Sequence, residues 1–262
     1  MDKSILGIHH ITAVASDPQR NLDFYGGVLG LRLVKLTVNF DDPSTYHFYF
    51  GDHLGRPGTI LTFFPWPHAA KGHPGTGQVS GFSLSVPERA LDFWARRLQA
   101  AGVEVERPGP RFEADVLSFA DPDGLPIELV AEDGKPGDEW GDVPAEYAIR
   151  GFHGATLSEE GYERTANLLT ETLGFRPISE DGSRHRFVIG AGGPGAIVDV
   201  LCLPDAPQGA FGAGTVHHIA WRTSSAPEQS AWQWKLGHLG LNVTPIVDRQ
   251  YFQSIYFREP GG

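Results

Sequence analysis

Two pairs of adjacent histidines, His9-His10 and His217-His218, are the residues best placed to do chemistry. Each pair sits in a short apolar run, Gly7-Ile8-His9-His10-Ile11-Thr12 and Thr215-Val216-His217-His218-Ile219-Ala220. Neutral imidazole is the commonest metal ligand among side chains. A single histidine in an apolar strand is more often a hydrogen-bonded core residue. The metal reading therefore rests on the pair occurring twice. Two imidazoles rarely close a site. The expected companion is a carboxylate, giving the face of two histidines and one carboxylate that non-haem Fe(II) oxygenases use.

The elements that must position these residues form an internal repeat. Four stretches share one order: a strand, an amphipathic helix, then further strands. The first opens at Gly7, with a helix over 17–28 that Pro18 starts, Asp17 caps and Gly30 stops. Strands follow at 45–50 and 59–64. The second opens at Val79. Its helix over 87–101 carries Leu91, Trp94, Ala95 and Leu98 on one face and ends at Gly102. Strands at 116–119 and 127–130 flank the turn Asp121-Pro122-Asp123-Gly124. The third opens at Gly151 and carries Leu168, Leu169 and Leu173. The fourth opens at Val216. Its helix carries Ala231, Trp234 and Leu239 as its apolar residues, and a strand is expected at 254–257.

This pattern predicts an α+β fold of four βαβββ modules in two tandem pairs, with curved mixed sheets forming open barrels. The first half spans residues 1–132 and the second 149–262. The acidic, Gly/Pro-containing stretch 133–148 is the expected linker.

Comparing the modules isolates the candidate ligands. His10 and His218 fall at equivalent positions, where the inner modules have Gly81 and Gly154. A purely structural role gives no obvious reason for histidine twice and glycine twice. The third ligand is sought the same way. Matching Pro122 to Pro260 and Gly124 to Gly262 puts the fourth-module counterpart of Glu128 just beyond Gly262. The last strand is therefore expected to be missing here. Glu259 is a weaker substitute, because it sits in the turn. Glu128 itself lacks histidine neighbours and is expected to be structural. His47, His153 and His185 receive no role.

The bulk numbers fit such a protein. The chain has 262 residues, 40% hydrophobic and 20% charged, with a net charge of -11. That charge argues against nucleic acid or anionic membrane as partner. Met1-Asp2-Lys3-Ser4-Ile5-Leu6 has no signal-peptide core, and no apolar run is long enough to span a bilayer, so a cytoplasmic location is expected. Cys202, the single cysteine, is expected to be a buried, inert thiol in a strand.

The two histidine motifs and the run Asp248-Arg249-Gln250-Tyr251-Phe252-Gln253-Ser254-Ile255-Tyr256-Phe257-Arg258-Glu259-Pro260-Gly261-Gly262 resemble the ring-cleaving dioxygenases, of hydroquinone and extradiol type, of the vicinal-oxygen-chelate (glyoxalase/bleomycin resistance/dioxygenase) superfamily. The resemblance covers essentially the whole chain. It implies Fe(II), or Mn(II), held by His10 and His218, with a glutamate after the Glu-Pro-Gly-Gly turn as third ligand. It implies that His9, Thr12, His217, Arg249 and Tyr256 surround the metal, and that a small aromatic diol and dioxygen are the substrates. Proton transfer would fall to His9, His217 or Tyr256. Arg249 has a plainer alternative, pairing with Asp248 or another surface acid. The architecture also hosts glyoxalase-type isomerases and lyases, because fold does not fix chemistry. A non-catalytic protein that sequesters an aromatic ligand is a third reading. A homodimer is expected, since open sheet ends need covering.

Overall fold

A computed structural model describes residues 5–134 and 137–262, so residues 1–4 of the opening segment lie outside it. Module one comprises β1 (Ile8–Ala15), α1 (Pro18–Leu22), β2 (Arg32–Val38), β3 (Tyr46–Gly51) and β4 (Ile60–Pro65). Module two comprises β5 (Gln78–Pro87), α2 (Leu91–Ala100), β6 (Val105–Glu106), β7 (Val116–Ala120) and β8 (Pro126–Glu132). Module three comprises β9 (Gly151–Glu159), α3 (Glu163–Asn167), β10 (Arg176–Asp181), β11 (Arg184–Val188) and β12 (Ile197–Cys202). Module four comprises β13 (Val216–Trp221), α4 (Ala226–His238), β14 (Val247–Asp248) and β15 (Gln253–Ser254).

The fold is α+β with mixed sheets, and the sheets stay open rather than closing into barrels. Apolar packing and strand pairing connect the modules differently. One buried cluster joins modules one and two, with Tyr25, Phe63, Phe82, Trp94 and Leu117. A second joins three and four, with Leu169, Phe187, Val200, Trp232 and Leu236. The strands instead link outer with outer and inner with inner. A five-stranded sheet runs β13-β1-β4-β3-β2, and an eight-stranded sheet runs β10-β11-β12-β9-β5-β8-β7-β6. This brings the two histidine motifs into one sheet, since β1 pairs antiparallel with β13.

The local signals act as their chemistry requires. Asp17 accepts a hydrogen bond from the Arg20 amide, and Ser225 accepts from the Glu228 amide. All four helical segments end before a glycine at positive φ: Gly30, Gly102, Gly174 and Gly240. In modules one and three the second half of the helix is a π-helix, at Asp23–Val28 and Leu168–Leu173. The Leu29 amide reaches the Phe24 carbonyl at 2.9 Å, five residues back. The wider turn buries the consecutive Phe24 and Tyr25 together with Leu29.

Three expectations are corrected. The fourth helix buries Trp232 and Leu236, one helical turn apart, while Trp234 is 63% exposed and stacks on His238. The strand expected at 254–257 is reduced to Gln253–Ser254. There the Tyr256 amide donates to the Thr244 hydroxyl at 3.0 Å rather than to a strand neighbour. Cys202 is half-buried at a strand end rather than in the core. The expected linker, 133–148, packs on the first half where it is described. Val143 and Ala148 are buried, the Trp94 indole donates to the Tyr147 carbonyl at 2.8 Å, and Arg97 pairs with Asp142 at 2.6 Å.

The turn after β7 ties modules one and two together. The buried Asp121 carboxylate accepts from the Tyr25 hydroxyl at 3.0 Å, the Asp123 amide at 2.8 Å and the Leu125 amide at 2.9 Å. Asp121→Ala leaves these donors unpaired and should cost about 3 kcal/mol in denaturant unfolding. Asp121→Asn, which still offers polar partners, should lose clearly less.

Candidate metal centre

The β1–β13 register explains how two histidine pairs come to share one face. Ile8 pairs with Trp221, His10 with Ala220, Ile11 with Ile219, Thr12 with His218 and Ala13 with Val216. His9 and His217 have no partner in this ladder. Each is the extra residue of a bulge, and a bulge re-aims its side chain. The pairing is two-fold about Ile11 and Ile219. His10 and His218 are therefore diagonal neighbours across the pair, within reach of each other's rings.

The rings meet accordingly. His10 Nε2 lies 3.2 Å from His218 Nε2. On the far side of each ring, His10 Nδ1 lies 2.9 Å from His9 Nδ1, and His218 Nδ1 lies 2.8 Å from His217 Nδ1. With His10 and His218 as the donors in these two contacts, Nδ1 carries the proton and Nε2 keeps its lone pair free. Burial, with the neighbouring His9 and His47, pushes His10 down to about 3. Burial, with His10 and His217 beside it, holds His218 well below its ordinary value. Both rings stay neutral, the form that binds a metal.

Two lone pairs facing at this distance need a shared proton or cation between them. Two nitrogens each about 2.1 Å from one ion, in adjacent positions, stand about 3.0–3.4 Å apart. The His10–His218 separation fits that spacing. Among the described residues no carboxylate joins the pair. The histidine and carboxylate atoms close enough to share an ion belong to Asp52, His53 and Asp138, at the surface beside Arg56.

The other predicted residues divide. Thr12 Oγ1 is 3.1 Å from His218 Nε2. The Tyr256 ring stands edge-on to His218 at 5.7 Å. Arg249 holds Asp41 through both oxygens at 3.1 and 3.0 Å, and its guanidinium also lies 5.4 Å from the Tyr256 ring. Glu259 is not at the centre: its carboxylate accepts from the Thr165 hydroxyl at 2.6 Å. Glu128 pairs with Arg111 in the eight-stranded sheet. His153 contacts Glu132, and His185 stacks on Tyr162.

Two neighbours were not legible in the sequence. Phe252 packs over both His9 and His10, at 5.5 and 5.6 Å. His47 reaches the centre through threonine hydroxyls. The alternation Tyr46-His47-Phe48-Tyr49 carried the signal that His47 and Tyr49 share a face. The histidine rings line one wall of a cavity of about 1350 Å³.

The inner modules keep the bulges without the ligands. Ser80 and His153 are skipped in the β5–β9 ladder, as His9 and His217 are in β1–β13. The glycines beside them have a steric reason. A Cβ on Gly81 would lie 2.8 Å from the Pro126 carbonyl oxygen, and one on Gly154 would lie 2.7 Å from that of Ile197. So glycine there is demanded by packing, contrary to the inference from sequence.

Comparison with known proteins agrees with this frame. The family model described as Glyoxalase/Bleomycin resistance protein/Dioxygenase superfamily matches residues 7–129. The chain belongs to that superfamily. It is 47% identical to the "Putative ring-cleaving dioxygenase MhqO" of Bacillus subtilis, over 100% of this chain and 83% of that protein. It is 36% identical to the chlorohydroquinone/hydroquinone 1,2-dioxygenase of Sphingobium indicum, over 100% of this chain and 84% of that one. A crystal structure titled "putative dioxygenase" from Bacillus subtilis superposes with a TM-score of 0.94 at 47% identity, covering 99% of this chain and 83% of that one. Glyoxalase I of Zea mays shares the fold, with a TM-score of 0.69 at 16% identity over 97% of this chain and 89% of that one.

The steric argument is directly testable. Gly154→Ala should destabilise the protein by about 1–3 kcal/mol, because the Ile197 strand must move. Unchanged thermal unfolding would show that the strand yields freely.

Proposed function

We propose that this protein is an Fe(II)-dependent ring-cleaving dioxygenase acting on a hydroquinone or catechol-like aromatic, with Mn(II) as the alternative ion. The observation that carries the reading is the pair of neutral imidazoles with Nε2 atoms 3.2 Å apart, each with a neighbouring histidine at Nδ1. His10 and His218 are the proposed ligands. The third is a carboxylate just beyond Gly262, at the fourth-module position that matches Thr62, Glu128 and Asp199. The register supports that match, since Thr62, Glu128 and Asp199 stand opposite Thr12, Ser83 and Thr156, each two residues after the ligand position of its module. The relatives named as dioxygenases, one of them for hydroquinone, support the substrate class.

When bound, the ion supplies open positions for the diol and dioxygen and a path for electrons between them. The chain's own residues do the rest. His9 and His217 orient the ligand rings through Nδ1. Phe252 and Tyr256 present aromatic faces to a substrate ring beside the histidines. His9, His217 and Tyr256 are the groups proposed to take and return protons.

His10→Ala and His218→Ala should each lower iron affinity by at least about 100-fold and abolish oxygen uptake with hydroquinone. Iron titration followed by oxygen-electrode assay checks both. Full uptake in either variant would sink the assignment, and metal-dependent isomerisation without oxygen uptake would favour the glyoxalase-type reading.

A further inference from the structure

One register row crosses the whole five-stranded sheet. Lys35 pairs with Tyr49, Tyr49 with Thr62, Thr62 with Thr12 and Thr12 with His218. Directly opposed residues project to one face. All five strands therefore place a polar side chain on the face that holds the histidines. His47, two residues before Tyr49, projects to the same face.

These side chains form a continuous chain of hydrogen bonds. Thr12 Oγ1, beside His218 Nε2, is 2.7 Å from Thr62 Oγ1. Thr62 Oγ1 is 3.0 Å from His47 Nε2. The far nitrogen, His47 Nδ1, is 3.0 Å from the Tyr49 hydroxyl. Thr12, Thr62 and His47 are all buried, and Thr62 is fully enclosed. Tyr49 is half-buried, and Lys35 beyond it stacks on Tyr251, which is 70% exposed. The chain thus runs from the histidines towards the surface. Thr12 breaks the two-fold symmetry of the centre, because its counterpart is Ala220. The route exists on one side only.

We propose that Thr12, Thr62, His47 and Tyr49 form a proton relay between the substrate and the surface, with His47 as its switching member. The inference rests on the dioxygenase reading for its substrate. A substrate hydroxyl beside Thr12 gives its proton to Thr12 Oγ1 as Thr12 passes its own to Thr62. Thr62 passes one to His47 Nε2, and His47 releases the proton on Nδ1 to Tyr49, which delivers one outward. Each member gains and loses one proton, no electron moves, and the net change is one proton carried from substrate to solvent. His47 returns to readiness by tautomer exchange in the reverse direction when the product is protonated. Burial first, then the Lys35 and Arg249 charges, push His47 down to about 3, so the ring is neutral and offers one donor and one acceptor. Burial pushes Tyr49 up to about 12, so its hydroxyl keeps its proton.

The test uses the full-length iron-loaded protein and three variants: Thr62→Val, His47→Phe and Tyr49→Phe. One readout is oxygen uptake with hydroquinone. The other is the visible spectrum of 4-nitrocatechol bound without oxygen, which reports whether the bound phenol has lost its proton. Each variant should lower kcat about 10- to 100-fold with little change in KM. The Thr62→Val/His47→Phe double variant should be no slower than the worse single one, because both cut one chain. On stopped-flow mixing at one pH, the nitrocatechol should lose its proton about 10- to 100-fold more slowly in the variants than in the parent, while reaching the same final spectrum. Multiplying losses in the double variant, or an ionisation rate unchanged in every variant, overturns the relay. A parent that takes up no oxygen yet ionises the probe through this chain overturns the dioxygenase reading and leaves the relay standing. A parent that does not ionise the probe overturns the relay itself.

Discussion

An antiparallel strand pair ordinarily turns consecutive side chains to opposite faces. The centre of this protein depends on breaking that rule twice. His9 and His217 are both bulge residues, so each sits beside the ring that follows it instead of behind the sheet. That placement fixes the Nδ1 side of His10 and His218 and aims both Nε2 atoms at one point. Without the bulges the four imidazoles would be split between the cavity and the core. The recurrence of the bulges at Ser80 and His153 shows that the backbone device belongs to the fold. The outer modules add the ligands to a feature the inner modules also possess.

The same strand pair explains why the outer modules carry the chemistry. Apolar packing is centred on modules one and two in one cluster and on three and four in the other, with Phe152, Ala155 and Val216 joining the first. Strand hydrogen bonding pairs the outer modules, one with four, and the inner modules, two with three. Only the second kind of connection can bring residues 10 and 218 together. In the inner pair, the strand carbonyls of Pro126 and Ile197 approach Gly81 and Gly154 too closely for any side chain. The corresponding inner positions are instead occupied by ion pairs, Arg111 with Glu128 and both Arg184 and Arg186 with Asp199. The buried members, Arg184, Arg186 and Asp199, are paired, as desolvation requires.

Much of this was legible in the sequence because repeats expose positional equivalence. The paired histidines, the modular order, the helix-ending glycines and the Asp-Pro-Asp-Gly turn all carry local chemistry that survives in the fold. What was not legible depends on long-range register. Nothing local says that β1 meets β13, so Phe252 and His47 could not be placed. Helical spacing alone also misjudged α4, where the buried pair is Trp232 and Leu236 rather than Ala231 and Trp234. The π-helical turns escaped because residue periodicity cannot separate them from an α-helix over a single turn. Composition marks 133–148 as the linker, but not that a few apolar residues, Val143 and Ala148 among them, pin it to the first half.

X-ray absorption at the iron edge of the anaerobically loaded protein tests the central claim most directly. The account predicts the scattering pattern of two imidazole nitrogens at about 2.1 Å, falling to one when either ligand histidine is replaced. A spectrum without imidazole scattering, or one unchanged by His10→Ala, would contradict it.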